Sequence, residues 1–140
     1  MPRSSAQIEA FFASVLAVPA HSTFGLSLVR WQPGEAVLSF TAGAPCLGPA
    51  GEVHGGVVSL LLEPAATFAL LPMLPDDRYP VTADIHVQLL KPVRPGAPVE
   101  LVGRVLRVGK QLAFCEASAM VAGEMCVAAR LTKAIVSISA

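Results

Sequence analysis

The sequence predicts an α+β domain in which one antiparallel sheet curls around a single long helix. Residues from about Gly55 to Leu71 are apolar around nearly the whole helical circumference, with Val57, Val58, Leu60, Leu61, Leu62, Ala65, Ala66, Phe68, Ala69 and Leu70. Such a helix must be enclosed on several sides. Downstream, long β-like stretches alternate with turn residues, the pattern of antiparallel strands joined by tight turns. A chain of 140 residues suits one domain with a substantial core. One sheet long enough to wrap one helix satisfies all three observations.

The elements follow in order. Arg3 and the apolar run Phe11 to Ala20, ending Val18-Pro19-Ala20, faintly resemble a secretory signal. Glu9 beside the run and Ser14 within it favour a short amphipathic helix from about Ser5 to Leu16, so residues 1–22 form an N-terminal helical segment of the single domain 1–140. Gln32-Pro33-Gly34 turns between strands Leu26–Trp31 and Glu35–Phe40, a first hairpin. Ala44 to Gly51 is a loop rich in Pro and Gly that leads into the long helix, which stops before Pro72 and Pro75. Thr82 to Leu90 is a strand closed by Lys91-Pro92-Val93-Arg94-Pro95-Gly96. Val99–Arg107 turns through Val108-Gly109 into Lys110–Val121, and Ala122-Gly123 turns into Met125–Ile138. These strands are expected to form an antiparallel meander.

Composition narrows the function classes. The chain is 54% hydrophobic and 14% charged, against about 25% charged for an ordinary soluble domain. So few charges predict that another subunit covers part of the surface, as a homodimer or a dimer of dimers. Ten basic residues balance ten acidic ones, and no basic stripe interleaved with aromatics appears, so no nucleic-acid partner is expected. Cys46, Cys115 and Cys126 are odd in number and lack metal-ligand spacing. They read as small apolar or half-buried residues of a reducing compartment, and a cytoplasmic location is expected. With about fifteen mostly apolar residues broken by Glu63 and Pro64, the long helix is too short for a membrane span, and no membrane association is expected.

The chemistry concentrates in Val53-His54-Gly55-Gly56 and the helix it opens. A helix start presents unpaired N–H groups that can hold a developing negative charge, and Gly55 and Gly56 let a ligand approach the backbone closely. Ser59, Glu63 and Thr67, at i, i+4 and i+8, share one face and are the only polar side chains between Gly56 and Leu71. Such a stripe could line a water-holding cavity with Glu63 as base or nucleophile. Equally, Ser59 and Thr67 could bond back to helix carbonyls while Glu63 reaches solvent. Pro64 removes one helical hydrogen bond, so a bend beside the acid is expected. Eight residues separate Gly55 from Glu63, about 12 Å of helix rise, whereas attack needs reacting atoms about 3–3.5 Å apart. Two such helices running antiparallel across a dimer would bring one chain's Glu63 to the other's Gly55. His54 reads as structural, bonding the preceding loop, and His21 and His86 have no nearby partners in sequence.

These residues resemble the hotdog-fold acyl-CoA thioesterases of the PaaI-like branch of the 4-hydroxybenzoyl-CoA thioesterase superfamily. The resemblance runs from about Gly25 to the C-terminus. It rests on Gly51-x-Val53-His54-Gly55-Gly56 with Glu63 nine residues after the histidine, on Thr82-x-Asp84, on Lys91-Pro92-Val93-x-x-Gly96, and on Val105-Leu106-Arg107-x-Gly109-Lys110. It implies a curved antiparallel sheet around a central helix and hydrolysis of acyl-CoA to free acid and CoA, with no metal or redox cofactor. The Gly55 N–H would polarise the thioester carbonyl, and Glu63 of the neighbouring subunit would activate water or attack directly. Thr82 would help place the water, and Thr67 matches a water-binding threonine of a related branch. His54, Gly56 and Ser59 would lie on the substrate side, and Lys91, Arg94, Arg107 and Lys110 would meet the CoA phosphates. The sequence departs from the family pattern at Gly48, where many members carry an asparagine, and at Pro64, usually polar or small. Two alternatives therefore stand beside hydrolysis: a non-catalytic acyl-CoA-binding module, and a hydratase or dehydratase using a His–acid pair.

Overall fold

The computed structural model of the chain describes residues 1–138. Helices α1 (Ser5–Leu16) and α2 (Pro19–Ser22) precede strands β1 (Ser27–Gln32) and β2 (Glu35–Thr41). The long helix α3 (Gly55–Leu70) follows, then β3 (Arg78–Leu89), β4 (Pro98–Val108), β5 (Leu112–Val121) and β6 (Glu124–Ser137). Helix α1 starts at a capping box: Ser4 Oγ accepts the Gln7 N–H and the Gln7 side chain accepts the Ser4 N–H. Its buried residues Ile8 and Phe12 face the core. Phe12 stacks on Phe68 of α3 at 3.9 Å and meets the Trp31 ring edge-on at 5.6 Å. The amphipathic reading of the N-terminus holds, and the short α2, opened by Pro19, is an addition to it.

The six strands form one sheet in the order β1-β2-β4-β5-β6-β3, with every pairing antiparallel. Strands β4, β5 and β6 are the expected meander, and Ala122-Gly123 turns between β5 and β6 with both residues at positive φ, as a type I′ hairpin requires. The expectation fails for β3. This strand does not pair with β4, its neighbour in sequence, because β2 already occupies that edge of β4. It crosses instead to the far edge and pairs with β6 along its whole length. An edge strand tolerates proline, so β3 begins at Arg78 and passes through Pro80, four residues earlier than its pattern indicated. Lys110 and Gln111 belong to the β4–β5 turn, closed by the Gly109 N–H donating to the Leu112 carbonyl.

Helix α3 lies across the inner faces of β2, β4 and β5 and is largely buried. Pro64 sits inside it, and one further 3₁₀ turn continues through Pro72 to Met73. The apolar run Gly55–Met73 thus spans 19 residues, long enough to cross a membrane by length and composition. That corrects the shorter run read from the sequence, and enclosure by the sheet accounts for its apolar character. The helix can seat so closely because β4 carries Gly103 directly beneath it: a Cβ there would collide with the Ala65 carbonyl. Inserting atoms into a packed contact of this kind costs about 1–3 kcal/mol. Gly103→Ala is therefore expected to lower unfolding stability by about that amount, measured by urea denaturation. A midpoint equal to that of the wild type would show that the helix and sheet can separate freely at this point.

Candidate active site

The start of α3 is organised by His54. Its backbone N–H donates to the Cys46 carbonyl at 2.7 Å, tying the helix entrance to the preceding loop. Its ring caps the helix, with Nδ1 accepting the Gly56 N–H at 2.9 Å. A neutral imidazole that accepts at Nδ1 carries its proton on Nε2. The His54 carbonyl takes the Val57 N–H at 3.0 Å. Of the N–H groups at the head of the helix, that of Gly55 has no partner among the described residues. The ring therefore serves the helix and not the preceding loop, which only the backbone N–H of His54 reaches, and the cap has a chemical consequence, because it consumes one donor and leaves its neighbour open. A Cβ on Gly55 would lie 2.6 Å from Leu89 Cδ1 of β3, so the open N–H sits against the C-terminal end of that edge strand. At Gly48 an added Cβ would meet only ordinary contacts, so packing does not demand glycine there.

The polar stripe on α3 divides in two. Ser59 Oγ donates to the Gly55 carbonyl at 2.8 Å and is occupied within the helix. Thr67 is turned elsewhere: its Oγ1 accepts from Lys133 Nζ at 3.0 Å. The same ammonium donates to Thr82 Oγ1 of β3 at 2.6 Å. Glu63, half-buried one turn before Thr67, lies close enough for its charge to act on Lys133, yet among the described residues it forms no ion pair within 4.0 Å.

A β-bulge between Thr82 and Asp84 assembles this cluster. Ile85 and Val87 pair with the inward-facing Leu131 and Ala129, so strict alternation would turn Thr82 outward. The bulge reverses the phase and sets Thr82 beside Lys133 on the helix side. Lys133 itself is only 1% exposed and occupies an inward slot in the row Val127, Ala129, Leu131, Lys133, Ile135. It was not among the site residues expected from the sequence, although a lysine in the buried phase of an otherwise apolar strand is a legible signal. Burial pushes its ammonium below the ordinary lysine value, opposed by the Glu63 carboxylate and then by Cys115. Burial raises the Cys115 thiol to about 11, opposed by the Lys133 charge.

Within one chain the open N–H and the acid do not meet. Gly55 adjoins Leu89 at one end of β3, whereas Glu63, Thr67 and Thr82 gather toward the other. The four basic residues are divided as well. Lys91, paired with Glu124 at 2.7 Å, and Arg94 flank the start of β4. Arg107 and Lys110 lie at its far end, about 35 Å of strand away. His21 Nδ1 bonds the Val15 carbonyl at 2.7 Å. His86 lies on the outer face of the sheet, in a cavity of about 540 Å³ it shares with Arg104, Glu116 and Arg130. None of the predicted site residues lines that cavity, so its size does not make it the reaction site. No cluster of three His, Cys, Asp or Glu side chains is placed to hold a metal among the described residues.

Residues 50–128 match the thioesterase superfamily, and the chain belongs to that family. Acyl-coenzyme A thioesterase 13 of Homo sapiens and its Pongo abelii counterpart are each 28% identical over 90 residues, 64% of this chain and 63% of the relative. The match thus spans less than two thirds of these relatives. Solved structures share the hotdog fold. A thioesterase from Haemophilus influenzae superposes with TM-score 0.82 at 22% identity, covering 89% of this chain and 87% of its own. The phenylacetic acid degradation protein PaaI of Thermus thermophilus gives 0.76 at 23% identity, with 83% and 97% covered. A Streptococcus mutans protein bound to acetyl CoA gives 0.75 at 15%, with 83% and 92% covered.

All three cysteines are buried and free of disulfides. The thiolate is the reactive form, and at pH 8 a thiol of pKa about 11 is ionised in roughly one molecule per thousand. Cys115 is therefore expected to resist a disulfide reagent such as DTNB in the native protein and to react at once on unfolding. Rapid modification of native Cys115, located by peptide mapping, would contradict its enclosure beside Lys133.

Proposed function

We propose that this protein hydrolyses acyl-CoA thioesters at sites shared between two chains. The observation that carries the reading is the N–H of Gly55, left without a partner among the described residues by the His54 cap at the head of a helix whose acid lies two turns away. Family membership supplies the reaction class, and the acetyl CoA held by one structural relative supports the substrate class. A thioester carbonyl lodges on the partner's Gly55 N–H. Glu63 takes a proton from water as the water oxygen attacks the carbonyl carbon. The resulting oxyanion rests on the Gly55 N–H and the positive end of the helix. Collapse expels the CoA thiolate, which recovers the proton, giving the free acid and CoA.

Strand β3 supports the shared site. It is an unpaired edge carrying exposed Ile85 and Leu89 on the helix side, a surface that a second copy would cover. The midpoint between Thr82 and Leu89 falls between Ile85 and His86. Antiparallel pairing of two β3 strands about that point sets Thr82 of one chain opposite the partner's Leu89, and hence near the partner's Gly55. The same two-fold sets the Lys91 and Arg94 end of one sheet alongside the Arg107 and Lys110 end of the other, with β6 and β5 between the shared edge and β4, and both pairs are candidates for the CoA phosphates. A hydratase would need His54 beside an acid, and its ring is committed to the helix cap.

A thiol-release assay across short-chain, long-chain and aryl CoA esters tests the reaction. Glu63→Gln is expected to lower kcat by about 10²- to 10⁴-fold, with the oligomer unchanged by light scattering. Undiminished turnover removes Glu63 from the chemistry, and stoichiometric acyl-CoA binding without CoA release identifies a binding module instead. Sharing is tested by mixing two inactive variants, Glu63→Gln and Gly55→Val. Random dimers formed after co-refolding should recover up to about a quarter of wild-type activity, because each heterodimer rebuilds one intact site. No recovery, with heterodimers present by mass spectrometry, places the whole site in one chain.

A further inference from the structure

We propose that Lys133 is a positioning residue for the reaction at Glu63, acting through the hydroxyls of Thr67 and Thr82; this rests on the hydrolase reading above. An ammonium has three donors and no acceptor. Both contacts, 3.0 Å to Thr67 Oγ1 and 2.6 Å to Thr82 Oγ1, therefore require the threonine oxygens to accept. Each hydroxyl proton is then directed away from Lys133, and neither has an acceptor among the described residues. The two threonines come from different elements, α3 and β3, and are half-buried over a lysine that is only 1% exposed. One buried charge thus turns two hydroxyls into fixed donors beside the acid.

A water molecule has two protons and two lone pairs. Lodged between Thr82 and Glu63, it accepts one hydrogen bond from the threonine and donates one to the carboxylate. Its second lone pair stays free for attack. If the threonine could also donate toward Lys133, the water would lose that anchor whenever it did so. A neutral amine permits this reversal, because it offers a lone pair; the ammonium forbids it. The cost of burying a cation in the apolar row of β6 is thus tied to a function that an apolar side chain could not serve.

The charged and titratable groups acting on Lys133 are Glu63 from α3 and Cys115 from β5. Burial lowers the lysine below 10.5, so the protonated form is lost as pH rises through a value beneath the ordinary lysine range. Wild-type kcat is accordingly expected to fall on the alkaline side in that interval. Cys115→Ala should keep this limb, which distinguishes the lysine from the thiol. Lys133→Met should lower kcat about 10- to 100-fold with KM changed much less, and should abolish the alkaline limb of the residual activity. Circular dichroism and the oligomeric mass check that the variant is folded. A folded Lys133→Met enzyme with wild-type kcat and pH profile overturns the proposal while leaving the hydrolase reading intact. Should Lys133→Met fail to fold, the wild-type profile decides: a kcat level through pH 10.5 against enzyme-free blanks overturns it. Wild-type protein that releases no CoA from any ester refutes the hydrolase reading, and the role of Lys133 with it.

Discussion

The seat of α3 on β4 is the contact on which the other features depend. Where the helix crosses the strand, Gly103 lies under the Ala65 carbonyl with no room for a side chain between them. This closeness lets a helix with Leu61, Leu62, Ala65, Ala66 and Phe68 fully enclosed make the core of a small sheet. It also fixes the height and rotation of α3, and so decides that Glu63 and Thr67 face β6 and β3. The N-terminal segment closes the remaining side, with Phe12 stacked on Phe68 and the Arg3 guanidinium bonded to the Leu74 and Pro75 carbonyls.

The head and the middle of the helix follow different physics. At its head the issue is backbone hydrogen bonding: four N–H groups lack helical partners, and His54 selects which stays open. In its middle the issue is the cost of polar groups in an apolar setting. Glu63, Thr67, Thr82 and Lys133 share one interior location because each lowers the cost of the others. The threonines satisfy the ammonium, and the carboxylate offsets its charge.

Much of the fold was readable from pattern. The central helix, the first hairpin and the β4–β5–β6 meander all follow from apolar periodicity and turn residues, which are local properties. The placement of β3 was not readable, because strand order depends on which sheet edge is vacant. The candidate site divides along the same line. Glu63 and Thr67 could be located because helical spacing fixes their common face, and Gly55 because a glycine pair marks a helix start. Thr82 came only through family resemblance, since strict alternation turns it away from the helix. The row Val127, Ala129, Leu131, Lys133, Ile135 did carry a visible anomaly, but its meaning depended on what lay opposite.

By itself the sequence determined the elements, their apolar faces and the residue types available for chemistry, because these are set by neighbours three or four positions away on a helix and two away on a strand. The tertiary structure alone decided that β3 lies beside β6, that a bulge turns Thr82 inward, and that one lysine holds two threonines from separate elements. Those outcomes arise between segments distant in the chain. There, edge availability, a one-residue slip in register and the demand that a buried charge find partners outweigh any local preference.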